Sequence, residues 1–177
     1  MGFSESNSIN ELHTDKLIEK YGGFKVSIIS QEGNIRISEL RDLGNTLRTF
    51  AISFFSTTEY STKLKVVHDK ILNGMPIGDT LRNNGFDVQK EVISNFVIEK
   101  PKIFQTSENF THTTGQLSKI SCRDELGSQF YAEVCEIYCP CFQIPKDNLY
   151  SNDRIATRIL ELLTFAEIQN LKYKLTI

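Results

Sequence analysis

The segment QFYAEVCEIYCP, residues 129–140, has the two-residue alternation that predicts a β-strand. Alternate side chains of a strand point to the same face, so Phe130, Ala132, Val134, Glu136 and Tyr138 are expected to share one face. That face is apolar except for a single carboxylate. Because an unpaired buried charge is unfavourable by several kcal/mol, Glu136 needs either a partner or a function.

The rest of the hydrophobic pattern predicts an α+β fold, a mostly antiparallel sheet with helices packed against it. Alternation predicts further strands over 24–30, 35–40, 46–56, 90–104 (broken by a proline), 117–123 and 171–177. Helical spacing predicts a helix that begins near Thr14 and two more over 62–74 and 151–170. Residues 105–116 are expected to form a loop. The strand over 46–56 is apolar on both faces, which is typical of a central or covered strand.

The composition indicates one domain over residues 1–177, since the length and the 40% hydrophobic content are ordinary for a globular protein. A net charge of -2 with scattered Lys and Arg offers no surface for nucleic acid. The chain has no apolar run long enough to cross a membrane and no signal-peptide pattern at its start. A cytoplasmic protein without membrane contact is therefore expected, as a monomer or a homodimer.

The cysteine and histidine spacings do not indicate a metal site. No C-x-x-C pair occurs among the four cysteines, which are expected to be reduced and to pack as small apolar residues: Cys122, Cys135, Cys139 and Cys141. No two histidines have the spacing of a ligand pair, and all three are expected to be solvated: His13, His68 and His112.

The sequence allows two interpretations of the inward Glu136. Desolvation should raise its pKa unless a cation or hydrogen-bond donors meet it, and a carboxyl group with a raised pKa suits acid or base catalysis. The alternative is a structural ion pair, or a wet face on an edge strand. Arg36 and Arg48 are the candidate cations, and either guanidinium could instead bind a ligand carboxylate through two parallel donors.

Three short motifs occur in an order that resembles the chorismate pyruvate-lyase family. They are R-x-x-x-L-R-D-x-G…F-A-x-S over 36–53, M-P-I-G-x-x-L over 75–81 and E-I-Y-C-P over 136–140. The resemblance covers about residues 10–145. It implies a chorismate lyase-like fold that encloses a ligand cavity, and a lyase that cleaves the enolpyruvyl ether of chorismate to pyruvate and 4-hydroxybenzoate without a metal or organic cofactor.

The resemblance also implies roles for individual residues. Glu136 matches the catalytic carboxylate and Arg36 the arginine that binds the substrate carboxylate, with Arg48 as a possible second clamp. Ile77 and Gly78 fall in the loop whose backbone contacts the ligand. A family contact that is commonly apolar falls on His13, and this departure implies an altered substrate.

The chain departs from the family at both ends. The family's first helix and strand have no counterpart here, while residues 150–177 extend beyond its usual end. One hypothesis is that this C-terminal helix and strand replace the missing pair, as in a circular permutation. The rival functions are a non-catalytic domain of the same fold that binds or senses aromatic acids, and an interaction module in which Glu136 is structural.

Overall fold

A computed structural model of the chain describes residues 12–99, 112–142, 157–162 and 164–165. Within them six strands form one antiparallel sheet in the order β1-β2-β3-β6-β5-β4. The strands are β1 (Phe24–Glu32), β2 (Ile35–Asp42), β3 (Leu47–Phe55), β4 (Asp87–Glu99), β5 (His112–Asp124) and β6 (Gly127–Tyr138). The helices are α1 (His13–Tyr21), α2 (Thr62–Leu72) and α3 (Ile77–Asn83). Residues 157–162 are also helical. The predicted α+β class with an antiparallel sheet is confirmed.

The tight turns predicted from glycine positions set the register of two hairpins. Gly33 lies in the turn between β1 and β2 and adopts a positive φ of 56°. The last pair of this hairpin before the turn is Glu32–Ile35. The β5–β6 hairpin closes at Asp124–Gly127. β3 is central, as its pattern predicted, and pairs with β2 on one side and β6 on the other.

Both faces of the sheet are covered, and each cover forms an apolar core. On one face α2 and α3 pack Leu64, Ile71 and Leu81 against side chains such as Phe55 and Ala132. The opposite core contains residues of β2, β3, β5 and β6 together with two residues of the C-terminal helical segment: Ile37, Phe50, Ile52, Leu117, Cys135, Ile137, Ile159 and Leu162. The central strands are therefore buried on both sides.

A β-bulge in β6 changes which side chains point inward, so part of the predicted face is wrong. The register between β5 and β6 shifts where Ile120 pairs with Ala132 while the next residue, Ser121, pairs with Phe130. Tyr131 is fully buried, whereas Phe130 is 42% exposed. Phe130 therefore does not share the inward face with Ala132, Val134 and Glu136 as the simple alternation predicted.

Three further predictions need correction. Residues 112–116, predicted as part of a loop, begin β5. Ile77 and Gly78, which the resemblance placed in a loop, form the start of α3. The cysteines are not all reduced, since Cys139 and Cys141 form a disulfide while Cys122 and Cys135 are free and buried. The break at Pro101 and the strand predicted over 171–177, with the circular-permutation hypothesis that depends on it, lie outside the described residues.

Candidate functional site

A pocket lies between the sheet and the beginnings of α1 and α3, and it is partly open to solvent. Its volume is about 60 Å³, which has room for several water molecules, so a larger ligand must extend into the open side. The sheet contributes residues from all six strands: Val26, Arg36, Ser38, Leu40, Ala51, Ser53, Lys90, Ser118, Ile120, Val134 and Glu136. The helices cover them with Leu12, His13, Thr14, Pro76, Ile77 and Gly78.

The register of the strands fixes the layout of the pocket floor, because side chains two residues apart on a strand share a face. One row across β2, β3, β6 and β5 reads Arg36, Ser53, Val134 and Ser118. The neighbouring row reads Ser38, Ala51 and Glu136. Strand spacing then puts the backbones of Arg36 and Glu136 about 12 Å apart, at diagonal positions of the floor.

Arg36 is a buried cation with no carboxylate partner among the described residues. Its side chain is held by Nη1, which donates to the carbonyls of Ile71 (2.7 Å) and Met75 (3.2 Å) at the end of α2. The guanidinium also lies 5.6 Å from the ring centre of Phe55. Nε is buried and has no hydrogen-bond partner. Burial lowers the pKa of Arg36 to about 10, so the group stays charged at neutral pH.

Glu136 is paired with a cation that the sequence analysis did not identify. Lys90 Nζ lies 2.9 Å from Glu136 Oε2, and the two side chains are only 8% and 12% exposed. Tyr138 Oη donates to the same carboxylate oxygen at 3.1 Å. Burial works to raise the pKa of Glu136, but the charge of Lys90 and these hydrogen bonds lower it below its ordinary value. Glu136 is therefore a carboxylate at neutral pH.

His13 is buried rather than solvated, which corrects the sequence-based expectation. It is 5% exposed at the start of α1, and its Nε2 forms a hydrogen bond with Thr49 Oγ1. The ring packs against Tyr138 at 4.6 Å and Phe142 at 4.9 Å between centroids. Burial lowers the pKa of His13 to about 4, so the imidazole is neutral at pH 7.

The helical cover is fixed by contacts between α1 and α3. A Cβ on Gly78 would lie 2.0 Å from Leu12 Cδ1, so a larger residue would require the side chain of Leu12 or the start of α3 to move. Arg82 of α3 pairs with Asp15 of α1 at 2.8 Å. The P-I-G sequence therefore places Ile77 and Gly78 directly over the floor, at the edge of the first turn of α1.

Arg48 does not line the pocket. Its guanidinium binds Asp42, with Nε at 2.8 Å and Nη2 at 2.6 Å from Oδ2, and lies 4.1 Å from the ring centre of Tyr21. Nη1 donates to Cys141 Sγ at 3.1 Å. These contacts give Arg48 a structural role beside the disulfide, and the proposed second clamp is not part of this pocket.

The pocket gathers most of the residues that the sequence analysis selected. Glu136, Arg36, Ile77, Gly78 and His13 all line it, although they come from β6, β2, α3 and α1. Lys90 and the three serines of the floor were not predicted from the sequence. The only sequence signal for Lys90 was its position two residues after Val88, on the same face of β4. No sequence signal indicated the serines.

No protein-family model matches the chain, and no curated protein matches it in sequence.

Among the described residues no cluster of His, Cys, Asp and Glu has the arrangement of a metal site. The helices in this part of the chain are all too short or too polar to cross a membrane.

Proposed function

We propose that the protein is a lyase of the chorismate pyruvate-lyase type, which cleaves the enolpyruvyl ether of chorismate or a close analogue to pyruvate and a hydroxybenzoate. The fold would then be chorismate lyase-like, and the pocket would be its ligand cavity. The observation that carries the proposal is the buried Arg36, a cation that lines the pocket and has no acidic partner among the described residues.

An anionic ligand explains Arg36 better than a structural role does. Buried charges in proteins are normally paired, because the loss of hydration is large. The two carbonyls that Arg36 binds satisfy only Nη1, and its Nε stays unpartnered. A ligand carboxylate beside the guanidinium would supply both the missing charge and a hydrogen-bond acceptor.

Glu136 is suited to accept a proton. In the reaction the ether C–O bond breaks, the ring loses the proton on the carbon that bears the hydroxyl group, and the released enolpyruvate takes up a proton at its methylene carbon. An ionised carboxylate can take the ring proton, whereas it has none to give. Arg36, Lys90 and Glu136 together carry a net charge of +1 with neutral His13. A bound dianion would reverse that sign, which raises the pKa of Glu136 and makes it a stronger base.

Binding without catalysis is the second candidate, and one observation favours it. The protein itself supplies Glu136 with a cation and a hydroxyl donor within 3.1 Å. A carboxylate neutralised in this way needs no chemistry to account for its burial. In that case the pocket would bind or sense a small aromatic acid through Arg36 alone.

Incubation of the protein with chorismate distinguishes the two candidates, with pyruvate and 4-hydroxybenzoate measured as products. Glu136→Gln should lower turnover by about 100-fold or more, because it removes the base. The matched control is Glu133→Gln, three residues earlier on β6, where the carboxylate pairs with Arg158 away from the pocket. That variant should retain turnover.

Binding of benzoate and 4-hydroxybenzoate, measured by calorimetry, tests Arg36 separately. Arg36→Met should abolish binding, whereas Arg48→Met should retain it, because Arg48 lies outside the pocket. Binding through Arg36 without turnover of chorismate supports the sensor. If neither turnover nor Arg36-dependent binding occurs, both candidates are wrong.

A further inference from the structure

The floor of the pocket carries a group of buried hydroxyls that have no hydrogen-bond partner within the described protein. Of the described residues, six have a buried side-chain nitrogen or oxygen without a hydrogen-bond partner. Four of these line the pocket: Arg36, Ser38, Ser53 and Ser118. The three serines are each 1% exposed or less. Such groups are rare elsewhere in the described chain, so their concentration here marks a site.

The sheet register places these hydroxyls around one small apolar area. Ser53 and Ser118 pair with Val134 from its two sides, and Ser38 lies opposite Ala51 in the next row. Arg36 is directly opposite Ser53, at one end of the row. A ring held at Arg36 by its carboxylate would therefore lie above Ala51 and Val134, with a serine in reach on several sides.

We propose that Ser38, Ser53 and Ser118 recognise oxygen atoms on saturated ring carbons of the ligand, and that the pocket selects hydroxylated, non-aromatic ring acids over aromatic ones. This inference rests on the proposed function, because it assumes that Arg36 binds the ring carboxylate. Chorismate belongs to this ligand class, with a hydroxyl and an ether oxygen on its non-aromatic ring.

The geometry of the ring explains the selectivity. Substituents of an aromatic ring lie in the plane of the ring, so a ring stacked on Ala51 and Val134 leaves the serine hydroxyls below it unpaired. A saturated ring carbon directs its oxygen out of the plane, toward the floor. Leaving a buried hydroxyl unpaired costs about 1–3 kcal/mol. A ligand that pairs with the serine hydroxyls should therefore bind more tightly than one that leaves them unpaired. In the reaction, aromatisation would remove these contacts and weaken the binding of the product.

Calorimetric titration with three probes tests the inference: shikimate, 4-hydroxybenzoate and benzoate. Shikimate carries one carboxylate and three hydroxyls on a non-aromatic ring, which matches the net charge of +1 and the three serines. It should bind at least about 10-fold more tightly than benzoate. Ser53→Ala and Ser118→Ala should each weaken shikimate about 3- to 10-fold and leave benzoate unchanged. Ser94→Ala is the matched control, because Ser94 is equally buried but outside the pocket.

A second measurement does not depend on the ligand. If the hydroxyls are unpaired in the free protein, Ser53→Ala should not lower the midpoint of urea unfolding, whereas Ser94→Ala removes a hydroxyl that donates to the carbonyl of Asn95 and should lower it. A lower midpoint for Ser53→Ala would overturn the inference, as would benzoate binding as tightly as shikimate. Failure of all three acids to bind, together with no turnover of chorismate, would overturn the proposed function as well. Arg36-dependent binding of benzoate without a preference for shikimate would overturn only the inference.

Discussion

Lys90 Nζ and Glu136 Oε2 lie 2.9 Å apart, and their ion pair joins β4 to β6 across the intervening β5. Both side chains are nearly buried, so each charge depends on the other for its stability. The pair also sets the protonation of Glu136, since the charge of Lys90 is the strongest influence that lowers its pKa. Lys90 thus belongs to the candidate site although it lies on a strand at the end of the described sheet.

Lys90→Met should destabilise the protein at pH 7 by about 3 kcal/mol, because it leaves Glu136 as a buried charge without a counterion. The pKa of Glu136 should rise, since desolvation is then opposed only by weaker contacts. Urea unfolding at pH 7 measures the first effect, and carboxyl NMR chemical shifts across a pH titration measure the second. The double variant Lys90→Met/Glu136→Gln should recover most of the lost stability. If Lys90→Met alone is as stable as the original protein, the ion pair contributes nothing.

Tyr138→Phe tests the second partner of Glu136. The variant removes the hydroxyl that donates to Oε2 at 3.1 Å and keeps the ring that packs on His13. The folded pKa of Glu136 is lowered, so its carboxylate stabilises the fold above its unfolded pKa, and that contribution is lost as the pH falls through the folded value. In the variant the folded pKa of Glu136 should rise toward the unfolded value, so the loss of stability on acidification should be smaller and should be complete at a higher pH. Unfolding midpoints measured between pH 3 and pH 7 give the comparison, and coincident curves would contradict it.

The alternation of apolar residues predicted the sheet well but predicted the site only in part. β3 and the β1–β2 and β5–β6 hairpins followed from local pattern, since period and turn residues determine them. The bulge at Tyr131 could not be seen, because an extra residue changes the face without changing the local composition. Lys90 was missed for a related reason. A lysine on an edge strand usually prevents aggregation, and only the fold shows that this one points to Glu136.

Gly78→Ala should destabilise the protein by about 1–3 kcal/mol, because the new methyl group would lie 2.0 Å from Leu12 Cδ1. Either the side chain of Leu12 or the start of α3 has to move. Combined with Leu12→Ala, the substitution should cost less than it does alone, since the smaller side chain leaves space for the methyl group. A double-mutant cycle on urea unfolding measures this coupling. Additive effects of the two substitutions would show that the close contact is not what requires glycine.

His13 should make stability depend on pH in a range where the carboxylates contribute little. Burial lowers its pKa from 6.5 to about 4, so between these values the unfolded chain binds a proton that the folded protein excludes. Stability is therefore fully present above pH 6.5 and falls as the pH drops toward 4, by about 3 kcal/mol in total. The groups that face the imidazole act in opposite directions, because Glu136 raises its pKa while Lys90 and Lys16 lower it.

The variant His13→Gln removes this titration and keeps a polar side chain near Thr49. The unfolding free energy of the variant should therefore change less than that of the original protein between pH 6.5 and pH 4. His68, whose pKa burial also lowers, is present in both proteins, and the difference between the two curves reports His13 alone. If the unfolding free energies of the two proteins change in parallel with pH, His13 titrates normally. The description of His13 as a buried, neutral imidazole would then be wrong.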